Sequence, residues 1–183
     1  MKSFLPIICL LLAVASPTRA QQRAQTTVIL VRHAEKAAEP AADPGLTVAG
    51  EARARALIAV ARDAGVTAVV TTQFVRTKAT AQPIAAALGI TPEVVDARAA
   101  QHAQEVARTI LAKHPGEVVL IVGHSNTIPA IVAALGAAQP PPICDSEYDG
   151  LYVVTVPASG LARVIRARYG EPTPAAEACG AMR

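Results

Sequence analysis

The sequence has 183 residues, which is enough for one domain with a core of its own. Its formal net charge is only +3, aromatic residues make up 3%, and tryptophan is absent. Surfaces that bind nucleic acids combine basic stripes with rings that stack on bases, and this composition supplies neither. We therefore expect a single globular domain without a nucleic-acid partner.

Residues 1–20 have the pattern of a signal peptide, in which a basic residue precedes an apolar run and the small residue Ala20 precedes the predicted cleavage site. The apolar run is shorter than the stretch of about 20 residues that spans a membrane, and an uncleaved anchor is the alternative. We therefore expect an exported protein, periplasmic or secreted, with a mature domain of residues 21–183 and no membrane attachment. In an oxidising compartment we expect a disulfide between Cys144 and Cys179, with two free thiols as the alternative.

Buried strands and amphipathic helices alternate along the chain. Unbroken apolar runs predict strands buried on both faces, and apolar residues at helical spacing predict helices between them. A proline- and glycine-containing turn near the end predicts a hairpin of two further strands. This order predicts a three-layer α/β/α sandwich with a mainly parallel sheet and an antiparallel edge strand. The predicted strands are residues 27–31, 66–71, 118–122, 151–156 and 163–169, and the helices centre on residues 57–64, 103–110 and 128–135.

Arginines and histidines follow three of the predicted strands. Ligands of parallel sheets bind outside the carboxyl ends of the strands. Arg32 and His33 follow the first strand, Arg76 opens a helix after the second, and His124 follows the third. Planar guanidinium groups and helix N-termini suit a phosphate dianion, and a neutral imidazole held through its second nitrogen can be a nucleophile. The pattern predicts a phosphoryl-transfer site, with His33 better placed than His124 to attack.

These motifs resemble those of the histidine phosphatase superfamily, which includes phosphoglycerate mutases and many small phosphatases. Any one of the motifs is a weak signal, whereas their order along the chain is specific. The matching segments are the arginine-histidine-glycine signature at residues 32–36, a helix start at 46–50, the segment with a second phosphate-binding arginine at 72–80, and the second-histidine motif at 123–125.

The resemblance implies a phosphatase that forms a phosphohistidine on His33. Arg32, Arg76 and a protonated His124 would bind the phosphate, with no metal or cofactor, and the substrate would be a small phosphorylated molecule or a phosphorylated side chain. A phosphomutase and a non-catalytic anion-binding module are the alternatives. A zinc site of His33, Glu35 and His124 is a weaker hypothesis, because the two arginines would repel a cation.

Two departures from the family pattern concern catalysis. Ala34 replaces the usual glycine, and no motif identifies the carboxylic acid that protonates the leaving group. Asp96, after a short apolar run, is our candidate for that acid. Weaker candidates are Glu93, Glu105, Asp145 and Glu147. The choice of substrate is expected to depend on three loops, residues 37–45, 98–104 and 139–149.

Local roles are predicted for several other polar residues. Thr47 is expected to cap one helix, and Ser125 or Asn126 the helix after the second histidine. Glu35 should pair with an arginine or lysine at the rim of the site. Arg53 is expected on the solvated side of its helix.

Overall fold

A six-stranded sheet lies between two pairs of helices in the computed structural model, which describes residues 25–173. The predicted signal peptide and Cys179 fall outside the described residues, so export and the disulfide stay predictions. No helix in the described range is long and apolar enough to cross a membrane. The strands are β1 (Thr26–Arg32), β2 (Ala68–Thr71), β3 (Glu93–Val94), β4 (Val118–Gly123), β5 (Gly150–Val156) and β6 (Arg163–Arg168), and the helices are α1 (Val48–Asp63), α2 (Val75–Leu88), α3 (His102–Lys113) and α4 (Ile128–Ala134).

The sheet has the strand order β3-β2-β4-β1-β5-β6. The first four strands in that order are parallel, whereas β5 pairs antiparallel with both β1 and β6. The predicted α/β class, with a mainly parallel sheet, is confirmed. The terminal hairpin adds the antiparallel pairings, and β6 forms the edge of the sheet.

Successive residues of the central strand face opposite layers, as the pleat of a β-strand requires. Val28 and Leu30 pack in one apolar cluster with residues of α3 and α4. Ile29 and Val31 pack in the other cluster with residues of α1 and α2. All four side chains are at most 2% exposed, which explains why this strand has an unbroken apolar sequence.

Helix caps bear out one local prediction and contradict another. The Thr47 side chain accepts the Gly50 N–H at 3.1 Å and begins α1, as predicted. The predicted cap of α4 by Ser125 or Asn126 is wrong. Residues 125–127 form a turn, and the cap residue is Thr127, whose hydroxyl accepts the His124 N–H at 3.0 Å.

Candidate active site

The four predicted phosphate-site residues lie together at the carboxyl ends of adjacent parallel strands. Arg32 ends β1 and His33 follows it, His124 follows the neighbouring β4, and Arg76 lies in the first turn of α2. The two imidazole rings have centroids 5.5 Å apart and meet edge to face. All four residues line a cleft of about 410 Å³, and each of the three predicted substrate loops contributes to its wall.

His33 has one ring nitrogen fixed by the backbone and is almost fully buried. Its Nδ1 lies 2.8 Å from the carbonyl oxygen of Ala34, which makes Nδ1 the protonated nitrogen and leaves Nε2 with a free lone pair. Burial first, and then the neighbouring charges of Arg32 and Arg76, lower the pKa of His33 to about 4. The imidazole is therefore neutral near pH 7, as nucleophilic attack requires.

The loop that carries His33 is anchored to α2 through Thr80. The Thr80 hydroxyl accepts the Ala34 N–H at 2.9 Å and donates to the Arg76 carbonyl at 2.8 Å. One side chain thereby links the histidine loop to the helix turn that carries the second arginine. Ala34 needs no glycine-like backbone, since no non-glycine residue between 25 and 173 has a positive φ.

His124 is held by a chain of two threonine hydroxyl groups. Its Nε2 lies 3.1 Å from the Thr72 hydroxyl, which lies 2.8 Å from the Thr77 hydroxyl, and Thr77 can donate to the Phe74 carbonyl at 2.9 Å. Its Nδ1 lies 3.4 Å from Arg76 Nη2. A hydroxyl group can donate or accept, so this chain can support either tautomer of the ring.

The surroundings of His124 oppose the expected protonation of its ring. Burial, followed by the charges of His33 and Arg76, lowers the pKa of His124 to about 3. A cationic imidazole beside two guanidinium groups lacks a compensating anion, so the neutral form is favoured. Protonation of His124 would require the negative charge of a ligand.

Arg32 is held mainly by backbone carbonyl groups. Its Nη1 donates to Cys144, Asp145 and Glu147 at 2.8, 2.9 and 3.1 Å, and its guanidinium lies 4.2 Å from the Tyr148 ring centroid. The side chain is 5% exposed. A carbonyl group carries no full charge, so most of the guanidinium charge stays available to an anion.

Arg76 is held by an aspartate that the sequence analysis did not single out. Asp43 accepts the Val75 N–H at 3.0 Å and lies 3.5 Å from Arg76 Nη1, so it caps α2 and orients the arginine. The Arg76 guanidinium also lies 4.4 Å from the Phe74 ring centroid. The signal for Asp43 is its Asp-Pro-Gly sequence, which is typical of a turn but does not identify a distant helix as its partner.

Unsatisfied donors remain on both arginines. Among the described residues, the buried Nε atoms of Arg32 and Arg76 have no hydrogen-bond partner. A buried donor without an acceptor costs about 1–3 kcal/mol. An oxyanion bound beside the two guanidinium groups would supply the missing hydrogen-bond acceptors.

The structure argues against Asp96 as the proton donor. Asp96 does not line the cleft, and its carboxylate accepts hydrogen bonds from the Gln73 side chain at 2.6 Å and the Arg98 N–H at 2.9 Å. It therefore builds the wall behind the cleft. Asp145, a weaker candidate, is the one carboxylate that lines the described cleft, with its side chain 94% exposed and 3.6 Å from Arg32.

Glu35 turns away from the cleft, which removes the basis of the zinc hypothesis. Arg53 donates to the Glu35 carboxylate from Nε and Nη2 at 2.8 to 3.0 Å, and to the carbonyl groups of Tyr169 and Glu171. The expectation that Arg53 is solvated is wrong, because it is 5% exposed. Within residues 25–173, no three His, Cys, Asp or Glu side chains are grouped so as to hold a metal ion.

The α/β sandwich brings two histidines and two guanidinium groups to the ends of adjacent parallel strands, an arrangement that suits an oxyanion. A sequence model of the histidine phosphatase superfamily (branch 1) matches residues 28–98. Comparison with curated proteins found no match. The matched segment contains Arg32, His33 and Arg76 and ends before His124.

Solved structures with the same fold include phosphatases. The protein histidine phosphatase SixA, solved with tungstate, superposes with a TM-score of 0.64 at 18% identity, over 78% of this chain and 96% of that one. A putative phosphohistidine phosphatase SixA from Agrobacterium tumefaciens gives 0.59 at 23% identity, over 80% and 99%. The mycobacterial glucosyl-3-phosphoglycerate phosphatase Rv2419c gives 0.55 at 16% identity, over 78% and 97%. At these identities the likeness establishes the fold.

Proposed function

We propose that this protein is a phosphatase that hydrolyses a phosphomonoester or a phosphorylated side chain through a phosphohistidine on His33. The observation that carries the proposal is the state of His33: Nδ1 is tied to the Ala34 carbonyl, the ring is neutral, and Arg32 and Arg76 line the same cleft. This combination supplies a neutral nucleophile, together with positive charge that can stabilise the oxygens of the phosphoryl group during its transfer.

The reaction would be a double displacement. Nε2 of His33 attacks phosphorus, and the bond from phosphorus to the leaving oxygen breaks as that oxygen takes up a proton. Water then attacks the phosphohistidine, releasing inorganic phosphate and restoring the neutral imidazole. Arg32 and Arg76 stabilise the equatorial oxygens in both steps, and His124 donates a hydrogen bond from the nitrogen facing the cleft.

The walls of the cleft offer one candidate source of the leaving group's proton. Asp145 is its one lining carboxylate, and its highly exposed side chain can reach the leaving group of a bound substrate. A substrate with a good leaving group, such as phosphohistidine or an aryl phosphate, needs little proton donation. We propose Asp145 as the donor for poorer leaving groups.

The cellular setting is part of the proposal. The signal-peptide pattern of residues 1–20 supports export to the periplasm or the medium, where a single domain of residues 21–183 would act. Export disfavours the phosphomutase alternative, because phosphorylated metabolic intermediates are kept inside cells. The anion-binding module would share the cleft but form no phosphohistidine.

The test is hydrolysis of 4-nitrophenyl phosphate by the purified protein and its His33→Ala variant, with and without a chelator. We expect activity that a chelator does not change and that His33→Ala abolishes. His114→Ala is the matched control, because His114 does not line the cleft. Quenching at alkaline pH should trap phosphate on His33. Phosphate binding without turnover would favour the anion-binding module, and activity retained in His33→Ala would exclude the proposed nucleophile.

A further inference from the structure

A second cavity lies between α2 and the edge strand β3, and it shares no lining residue with the active-site cleft. Its volume of about 510 Å³ lies within the range of about 300–1,000 Å³ that holds small ligands. One wall is a face of α2 whose residues recur at helical spacing, namely Val75, Ala79, Gln82 and Ala86. From Val75 to Ala86 this face extends about 16 Å along the helix, at about 1.5 Å per residue. We call this cavity the α2–β3 groove.

Both walls of the groove expose apolar side chains. Val75 on α2 is 47% exposed, and Val94 on β3 is 53% exposed. They are two of the six large apolar side chains that are exposed between residues 25 and 173, so apolar surface is concentrated at this groove. Three alanines of α2 also line the groove and are too small to fill it. An apolar chain lying in the groove would remove this surface from water, which is favourable.

A buried hydroxyl group lies at the base of the groove. Thr71 ends β2 and lines the groove, with only 2% of the residue exposed. Its Oγ1 atom has no hydrogen-bond partner within the described part of the chain. A buried hydroxyl group without a partner costs free energy, and an acceptor atom of a ligand would remove that cost. The groove therefore suits a ligand that carries an oxygen atom at one end of an apolar chain.

Lys78 is the one charged side chain among the described residues that line the groove. Its ammonium forms no ion pair with a described carboxylate. The nearby carboxylates already have cationic partners, since Asp43 lies 3.5 Å from Arg76 and Glu93 lies 2.9 Å from Lys113. The side chain of Lys78 is exposed on a flexible four-carbon stem, so its charge is available to an anionic group of a ligand.

We propose that the α2–β3 groove binds a small monocarboxylate with an apolar chain, of the size of a medium-length fatty acid. Its carboxylate would accept a hydrogen bond from Thr71 and pair with Lys78, and its chain would lie along α2. A peptide that adds a strand to β3 is disfavoured, because that strand spans only Glu93–Val94 and offers few backbone hydrogen bonds. The groove lies outside the phosphate cleft, so this inference is independent of the proposed phosphatase function.

The test is a titration of the purified protein with octanoate, followed by NMR of labelled valine methyl groups. Inorganic phosphate is present throughout to compete for the cationic cleft. We expect the methyl signals of Val75 and Val94 to shift together and to saturate, whereas Val48, which is exposed on α1 outside the groove, should not respond. The affinity should rise about two- to fourfold for each methylene from hexanoate to decanoate, because each added methylene is at least partly buried.

Two variants assign the carboxylate to its partners. Octanol has the same chain length without the charge, and it should bind the unmodified protein about three- to tenfold more weakly than octanoate. Lys78→Gln should bring this ratio towards one. Thr71→Val should weaken octanoate binding about three- to tenfold without lowering the free energy of unfolding in urea, because the hydroxyl group has no partner to lose. Arg108→Gln is the matched control, since it removes the same charge from an exposed residue of α3 outside the groove.

Three results would overturn the inference. The first is an absence of shifts at Val75 and Val94 up to the concentration at which octanoate forms micelles. The second is equal binding of octanoate and octanol to the unmodified protein, or a ratio that Lys78→Gln does not change. The third is a shift of the same valine signals when the protein concentration is raised without ligand, which would show that a second copy of the chain covers the groove.

Discussion

Replacing Gly50 with alanine tests whether the first turn of α1 sets the position of the His33 loop. A Cβ at Gly50 would lie 2.3 Å from the carbonyl oxygen of Glu35 and 3.1 Å from its carbonyl carbon and nitrogen. These are backbone atoms, so a change of rotamer cannot relieve the clash. The Glu35 carbonyl also accepts the Thr47 N–H at 2.9 Å, which ties the loop to the helix at this point.

The geometry gives the size of the expected effects. To restore ordinary contact, the Glu35 carbonyl must move by about 1 Å away from α1, and such a displacement at a catalytic group costs up to about 100-fold in rate. Overpacking of this kind costs about 1–3 kcal/mol in stability. We therefore expect Gly50→Ala to lower kcat/KM for 4-nitrophenyl phosphate by about 10- to 100-fold, and to lower the free energy of unfolding in urea by about 1–3 kcal/mol.

Gly45→Ala is the matched control. A Cβ at Gly45 would meet only Val75 Cγ1, at 3.9 Å, so both measurements should stay near those of the unmodified protein. A folded Gly50→Ala protein with unchanged kcat/KM would refute the reasoning. Such a result would mean that α1 moves to relieve the clash and that the position of the His33 loop does not depend on this contact.

Three further predictions concern protons. His33 and His124 have pKa values of about 4 and about 3 in the fold, against 6.5 in the unfolded chain, so the unfolded state binds more protons below pH 6.5. The free energy of unfolding should therefore fall as the pH drops from about 6.5 towards 4, by up to about 1.4 kcal/mol per pH unit for each histidine. Urea unfolding of His33→Asn should show a shallower pH dependence. Thr72→Val removes the hydroxyl partner of His124 Nε2 and should lower kcat/KM about tenfold with restoration by Thr72→Ser, whereas equal activity of the valine and serine variants would exclude a role for the hydroxyl. Asp145→Asn should slow hydrolysis of an alkyl phosphate much more than that of 4-nitrophenyl phosphate, and Asp96→Asn should lower stability without this dependence on the leaving group.

The fold was predictable because its signals are local. The β1 segment is apolar on both faces, and residues buried on both faces can belong only to a strand covered by two layers. Likewise, Thr47 follows a turn and precedes an apolar periodicity, which is sufficient to predict a helix cap. The direction of each hairpin strand relative to β1 was harder to predict from the sequence, because it depends on which edge of the parallel sheet the hairpin joins.

The parts of the site that escaped prediction are long-range pairings between polar side chains. Arg53 has the helical position of a surface residue, yet it is buried because Glu35 and the carbonyl groups of Tyr169 and Glu171 converge on it from other segments. Asp43 is equally ordinary in sequence, and its role comes from α2, 32 residues away. Helical periodicity records which face is apolar, and it carries no information about a polar group that finds partners across the fold.

The positive charge of the cleft adds to burial in keeping its histidines neutral. Arg32 and Arg76 are held by carbonyl groups, two aromatic rings and two aspartates, so their charge is only partly compensated, and with burial it opposes protonation of His33 and His124. The nucleophile is thereby kept ready to attack at neutral pH. The same imbalance leaves unsatisfied donors and partly compensated cations at the cleft, and an oxyanion would supply the missing acceptors and charge. Binding of the dianion would then raise the pKa of His124 and allow its ring to donate a second hydrogen bond. Binding of the phosphate would thus be coupled to protonation of His124, and the protonated ring would stabilise the bound phosphate.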